Sequence, residues 1–218
     1  MDKVGIITHF YNSTNYGGVL QAYALCNFLN NIEYDAEQIC FEREITYKRR
    51  IKLYLKAIKK IFHPVVYRNI YKRKMAFVNF RTNIIRHSEK VYTEANLKEL
   101  ATVYDIFITG SDQVWHPNAV CDAYLLDFGI TGLKKFSYAA SIAKDSLSNN
   151  EKERYKKALK DFSAISVREE NAVSIIRDIY SKDVKWVVDP VFLLDKQEWM
   201  NIIKESCGKD KYIFCYFL

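Results

Sequence analysis

The chain has 218 residues, 49% hydrophobic and 27% charged, which suits a folded globular protein and excludes intrinsic disorder. No apolar run approaches the ~20 residues of a membrane span, and His9 interrupts the N-terminal apolar run too early for a secretion signal. The formal charge of +7 is unevenly placed: Tyr47 to Lys90 holds 14 Lys/Arg and one acid, Glu89, leaving 19 basic and 25 acidic residues elsewhere. Such a stripe points to an anionic partner (a membrane surface, an acidic polysaccharide or nucleic acid) or to a solvated helix face.

The elements alternate in chain order. Lys3–Thr8 is read as a strand, followed by a polar loop and a helix with Val19, Leu20, Tyr23, Leu25, Cys26 and Leu29 at helical spacing and Asn15 as N-cap. Tyr34–Phe41 is a second strand, and this strand–helix–strand opening favours a parallel sheet with right-handed crossovers. The basic segment reads as two helices, Ile51–Ile61 and about Tyr67–Ile85, separated by His63-Pro64. A short helix fits Leu97–Ala101. Strands are expected at Asp105–Thr109, Lys135–Ala140, Ala164–Val167 and Lys185–Val188, and helices at Asn150–Phe162, Arg168–Ile179 and Lys196–Glu205. Tyr212–Leu218 reads as one more buried strand, and a chain ending there is expected to be a fragment.

In an open parallel sheet, ligands bind beyond the carboxyl ends of the strands, so the loops there carry the candidate chemistry. His9 to Gln21 includes Asn15-Tyr16-Gly17-Gly18 at a helix start, where free N–H groups favour an anion; the bland alternative is a tight turn. Gly110-Ser111-Asp112-Gln113-Val114-Trp115-His116 gathers hydroxyl, carboxylate, amide, indole and imidazole. That set suits a sugar, with the Trp115 ring against a pyranose, or else it is a turn capped by Asp112. Arg168 ends a strand and can fork onto a carboxylate or phosphate, unless Glu169 or Glu170 neutralises it. Asp189-Pro190 is expected to set a turn.

Cys26, Cys40, Cys121, Cys207 and Cys215 show no CxxC spacing and are expected to be reduced and buried, as in a cytoplasmic protein. His9, His63, His87 and His116 show no metal-ligand spacing, so no metal site is expected.

Taken in order, these loops resemble the polysaccharide pyruvyl transferase family. The specific blocks are Asn15-Tyr16-Gly17-Gly18-Val19-Leu20-Gln21 and Gly110-Ser111-Asp112-Gln113-Val114-Trp115. Tyr138-Ala139-Ala140-Ser141, Ser166-Val167-Arg168-Glu169, Asp189-Pro190-Val191-Phe192-Leu193-Leu194 and Trp199 are weaker. Gly18 stands where Ala is usual in that family, and His116 where Asn is common. The resemblance implies a two-domain architecture similar to GT-B glycosyltransferases. Residues 1–207 would form an N-terminal Rossmann-like domain with a basic helical insertion at about 47–90, and 208–218 would begin a second domain.

The resemblance also implies transfer of a pyruvyl group from phosphoenolpyruvate to a hexose of a surface polysaccharide or its lipid-linked precursor, forming a ketal without a cofactor. Asp112 and Arg168 are then the candidate catalytic residues. His9, Asn15, Tyr16, Gly17, Gly18, Gln21, Gly110, Ser111, Gln113, Trp115 and His116 are the candidate substrate contacts. The basic helices suit peripheral contact with an anionic membrane, and no nucleic acid is expected as a partner. The competing readings are a sugar-nucleotide glycosyltransferase of the same shape and a non-catalytic anion-binding module.

Overall fold

A computed structural model of the protein describes residues 1–44, 51, 64–180 and 182–203. Among the described residues the sheet has seven strands, all parallel: β1 (Lys3–Ile7), β2 (Asp35–Phe41), β3 (His87–Tyr92), β4 (Ile106–Thr109), β5 (Lys134–Ala140), β6 (Phe162–Val167) and β7 (Val184–Trp186). Their spatial order is β3-β2-β1-β4-β5-β6-β7. This is the doubly wound arrangement, in which the direction of winding reverses between β1 and β4 and a crevice opens beyond their carboxyl ends. The helices are α1 (Tyr16–Asn31), α2 (Pro64–Asn83), α3 (Asn149–Leu159), α4 (Glu170–Arg177) and α5 (Lys196–Met200), with a 3-10 segment at Glu94–Thr102 and a 3-10 turn at Pro190–Phe192.

Period-two alternation in β1 and β2 sends side chains to two separate layers. Val4, Ile6 and Ala36 meet Leu25 and Cys26 of α1, and Cys40 meets Ala22 and Tyr23. Ile7, Ile39, Phe41 and Phe107 point to the opposite face, where Leu100, Tyr155, Leu159 and Ile176 cover them. Gln38 is fully buried on the α1 side and its amide donates to Ala22 O at 2.7 Å, fastening helix to sheet.

Asn15 caps α1 by accepting from Gly18 N, and Ser148 with Glu151 forms a capping box on α3. Arg81 of α2 is buried and donates to Ser13 O, so one cation of the basic stripe ties α2 to the β1–α1 loop. Arg86 and Lys90 pair with Asp35 and Glu99. Arg68, Lys72, Arg73 and Lys74 lie exposed on α2.

The expected elements hold with shifts of a few residues, and one strand is an addition. Residues 87–92, read as part of the basic segment, form edge strand β3, which Ser88 helps seat by accepting from Cys40 N at 2.9 Å. Leu97–Ala101 is not an α-helix but part of the 3-10 segment, which kinks at Asn96. The helix expected at Ile51–Ile61 falls, apart from Ile51, outside the described residues, as do the strand at Tyr212–Leu218, the end of Lys196–Glu205 and the proposed domain boundary. Among the described residues no helix is long and apolar enough to cross a membrane.

Candidate active site

The loops after β1 and β4 face each other across the crevice and are laced together by one buried amide. Gln21, in the second turn of α1, donates from Nε2 to Thr8 Oγ1 at 3.0 Å and to Gly18 O at 2.8 Å, and its Oε1 accepts from Ser111 N at 3.0 Å. Thr8 Oγ1 in turn donates to Ser111 O at 2.9 Å. Gln21 therefore positions the Ser111 loop. The expectation that Gln21 touches substrate is replaced by this, because its amide is buried and engaged on both ends.

Gly110 has φ +112, and a Cβ there would stand 2.3 Å from Tyr138 O on the neighbouring β5. Glycine is required by both conformation and space, and the close approach aims the next two residues over the crevice. Asp112 has φ +63. Its Oδ1 accepts from Gln113 N at 2.8 Å, which is the local cap that the turn reading expected. Its Oδ2 leans over the first turn of α1: a Cβ on Gly18 would lie 3.0 Å from that oxygen and 3.0 Å from His9 O. Gly18 thus leaves room for a carboxylate beside the positive end of a helix.

Arg168, just past β6, reaches the same loop from the other side. Its Nη1 lies 3.1 Å from Asp189 Oδ2 and 3.5 Å from Ser111 Oγ, and its Nε lies 3.4 Å from Glu169 Oε1. Ser111 Oγ also lies 3.1 Å from Asp189 Oδ2. Asp189 sets the expected turn through Val191 N at 3.1 Å, and it is also the hub that joins the loops after β4, β6 and β7. The neutralising partner for Arg168 is accordingly present, and it comes from Asp189 as well as Glu169. Asp112 and Arg168 stand at the same carboxyl edge of the sheet, linked through Ser111.

Among the described residues, four buried side-chain polar atoms have no hydrogen-bond partner, and three of them lie just past strand carboxyl ends: His9 Nε2 after β1, Ser141 Oγ after β5 and Glu169 Oε2 after β6. Buried polar atoms are normally satisfied, so three orphans along one edge mark a place that a polar ligand or water completes. Residues 15–218 match the model of a family described as polysaccharide pyruvyl transferase. The chain belongs to that family. No curated protein and no solved structure matches it significantly. Membership makes the chain a transferase by family, with pyruvyl transfer to polysaccharide as its coarse activity.

For a pyruvyl transferase, the remaining expected contacts fall into two groups. His9, Gly110, Ser111 and Gln113 lie on the two loops that flank the crevice, with Gln113 exposed, and Gly17 and Gly18 lie beside them in the first turn of α1. Trp115 does not offer a ring face to a sugar. It is fully buried, packs against Phe162 at 6.0 Å between ring centroids, and donates its indole N–H to Tyr124 O at 3.1 Å. Its side chain anchors the loop, since a large apolar ring beside a β-sheet gains more from the core than from solvent. Tyr16 packs on Phe77 of α2 at 4.8 Å under the Arg73 guanidinium, Asn15 is occupied as a cap, and His116 Nδ1 accepts from Asn118 N at 3.2 Å.

Among the described cysteines, burial pushes the Cys26 thiol up to about 12 and Cys40 to about 11, so neither is a thiolate nucleophile at neutral pH. No group of three or more His, Cys, Asp or Glu among the described residues is placed to hold a metal ion.

Tyr124, Glu42 and Arg43, which have no place in the sequence reading, complete this edge beside the expected contact His9. His9 stacks on Tyr124 with ring centroids 4.4 Å apart, and both line a cavity of about 310 Å³ that also takes in Glu42 and Arg43 from the end of β2. Tyr124 lies in an irregular stretch without periodicity. Glu42 and Arg43 read as ordinary residues at a strand end, and only the strand order brings them beside His9.

Proposed function

We propose that the chain supplies the Rossmann-like half of an enzyme that moves a pyruvyl group from phosphoenolpyruvate onto two hydroxyls of a hexose, in a surface polysaccharide or its lipid-linked precursor. The observation that carries this reading, beside family membership, is the convergence of Asp112, Ser111 and Arg168 on one carboxyl edge lined with unsatisfied polar atoms. A second Rossmann-like domain would close the crevice as in GT-B enzymes.

The chemistry asks for three things. An acid protonates the methylene carbon of the enol phosphate, leaving positive charge at C2. One sugar hydroxyl adds to C2 and loses its proton. Phosphate departs, and the second hydroxyl adds and loses its proton, closing the ketal; the donor and a diol thus yield a ketal and inorganic phosphate. Asp112, with Oδ2 directed over α1, accepts the hydroxyl proton. Arg168, held by Asp189 and Glu169, turns its Nη2 edge to the carboxylate or phosphate of the donor. Gln113, exposed on the same loop, orients the acceptor, while Ser111, fully buried with its Oγ donating to Ala139 O at 3.0 Å, holds the loop in place. The general acid belongs to the second domain.

The test uses full-length protein, phosphoenolpyruvate labelled with 13C at C2, and hexose-containing oligosaccharides. A quaternary ketal carbon in the product and release of phosphate are expected, and Arg168→Ala should raise the donor KM. Release of a nucleoside diphosphate from a sugar nucleotide, with no ketal, would instead assign a glycosyltransferase.

The exposed Arg68, Lys72, Arg73 and Lys74 of α2 support placement against an anionic membrane. Sedimentation with anionic-lipid vesicles at low salt should carry the protein down; its staying in solution would remove the membrane contact.

A further inference from the structure

A second cavity lies outside the crevice, in the groove between α1 and α2. Its walls are apolar: Val19 and Leu20 of α1 and Ala76, Phe77 and Phe80 of α2 enclose about 430 Å³. That volume lies within the ~300 to ~1,000 Å³ of small-ligand sites. A single cation, Arg73, lines the same groove, with its guanidinium 5.3 Å from the ring centroid of Tyr16 and 5.8 Å from that of Phe77. Among the described residues its hydrogen bonding is one long contact, from Nη2 to Thr14 O at 3.4 Å. Arg73, Ala76, Phe77 and Phe80 follow one another at helical spacing, which puts the cation and the apolar wall on one face of α2.

The outer surface of α2 indicates what comes to this groove. The helix has no acidic residue, and Arg68, Lys72 and Lys74 lie exposed near Arg73. Ile70 and Tyr71 are exposed among these cations. A nucleic acid or an acidic polysaccharide would engage the cations and leave Ile70, Tyr71 and the apolar groove without a task. A bilayer surface engages all three: its phosphates meet the cations, its interfacial layer takes Ile70 and Tyr71, and an acyl chain fits the groove.

We propose that the α1–α2 groove seats one acyl chain of an anionic phospholipid, with the lipid phosphate on Arg73. The guanidinium would exchange its long bond to Thr14 O for a charge-assisted pair with the phosphate. Chain methylenes packed on Phe77 and Phe80 would add an attraction that salt does not screen, unlike that of the exposed cations. The proposal deepens the membrane placement inferred above by naming the lipid component and its seat, and it does not rest on pyruvyl transfer.

The experiment uses lipid monomers. Full-length protein is titrated calorimetrically with lauroyl lysophosphatidylglycerol below its micellar concentration. Parallel titrations use lauroyl lysophosphatidylcholine, which has the chain without net charge, and glycerol phosphate, which has the anion without the chain. The anionic lysolipid is expected to bind saturably, the zwitterionic one about tenfold more weakly, and glycerol phosphate not detectably. Arg73→Gln, at an exposed position, should narrow the gap between the two lysolipids to about twofold. Ala76→Phe places a ring in the groove, keeps every cation, and should weaken the anionic lysolipid by about tenfold, with an unchanged melting temperature showing that the variant is folded. Equal binding of the two lysolipids, glycerol phosphate binding as tightly as the lysolipid, or a folded Ala76→Phe variant that binds like the parent would overturn the assignment. If anionic vesicles carry the protein down but no lysolipid monomer binds, the membrane placement stands on charge alone and the groove has no part in it.

Discussion

At the scale of single residues, the candidate site is built from groups whose neighbours decide what they can do. Asp112 caps its own turn with one oxygen and keeps the other over α1. Arg168 arrives with Asp189 and Glu169 already beside it, so its contribution to an anion site is directional. His9 is the residue with a pH signature. Its protonation is favoured less in the folded chain than in the unfolded one, because burial is the dominant influence. The unfolded state therefore binds more protons once the pH drops toward and below about 6.5, and folding stability should fall with acidification through that window. Denaturant midpoints measured from pH 7.5 to 5 should decline less steeply for His9→Phe than for the parent; parallel curves would show that His9 is not held neutral by its surroundings.

At the scale of elements, the junction between β4 and its loop is the feature on which the site geometry depends. Gly110 → Ala places a methyl group against Tyr138 O in a backbone conformation that side chains avoid, so a loss of about 2–3 kcal/mol is expected in equilibrium unfolding. A change under ~0.5 kcal/mol would mean that the β4–β5 contact relaxes freely.

The element pattern was largely legible in the sequence because strands and helices here follow their own periodicities, with Asn15 marking a helix start. β3 was not legible: His-Ser-Glu-Lys-Val-Tyr on a sheet edge needs little apolar character, and Lys and Glu there look like more of the charged stretch before it. The loops that hold the site were legible as locations, since the carboxyl-end rule needs only strand order. The orientations within them were not. Trp115 turned into the core, Gln21 became a strut, and Asp189 proved a hub, because each depends on neighbours over 20 residues away or on the far side of a loop.

At the scale of the whole molecule, the parallel sheet places the ends of β1, β4, β5, β6 and β7 along one edge. The chain's membership of the pyruvyl transferase family gives the chain a reaction class, and the function proposed above puts that reaction at this edge. The exposed cations of α2 sit on the helix that Arg81 ties to the β1–α1 loop, so a surface that held α2 would also fix the mouth of the crevice. Asp112 is the residue on which catalysis at this edge would most directly depend. Steady-state phosphate release from phosphoenolpyruvate should be measured for the full-length enzyme with a hexose acceptor, and compared with Asp112→Asn. A fall in kcat of about 100-fold or more, with unchanged thermal stability, is the predicted result. Equal rates for the two proteins would contradict the assignment of this edge to catalysis.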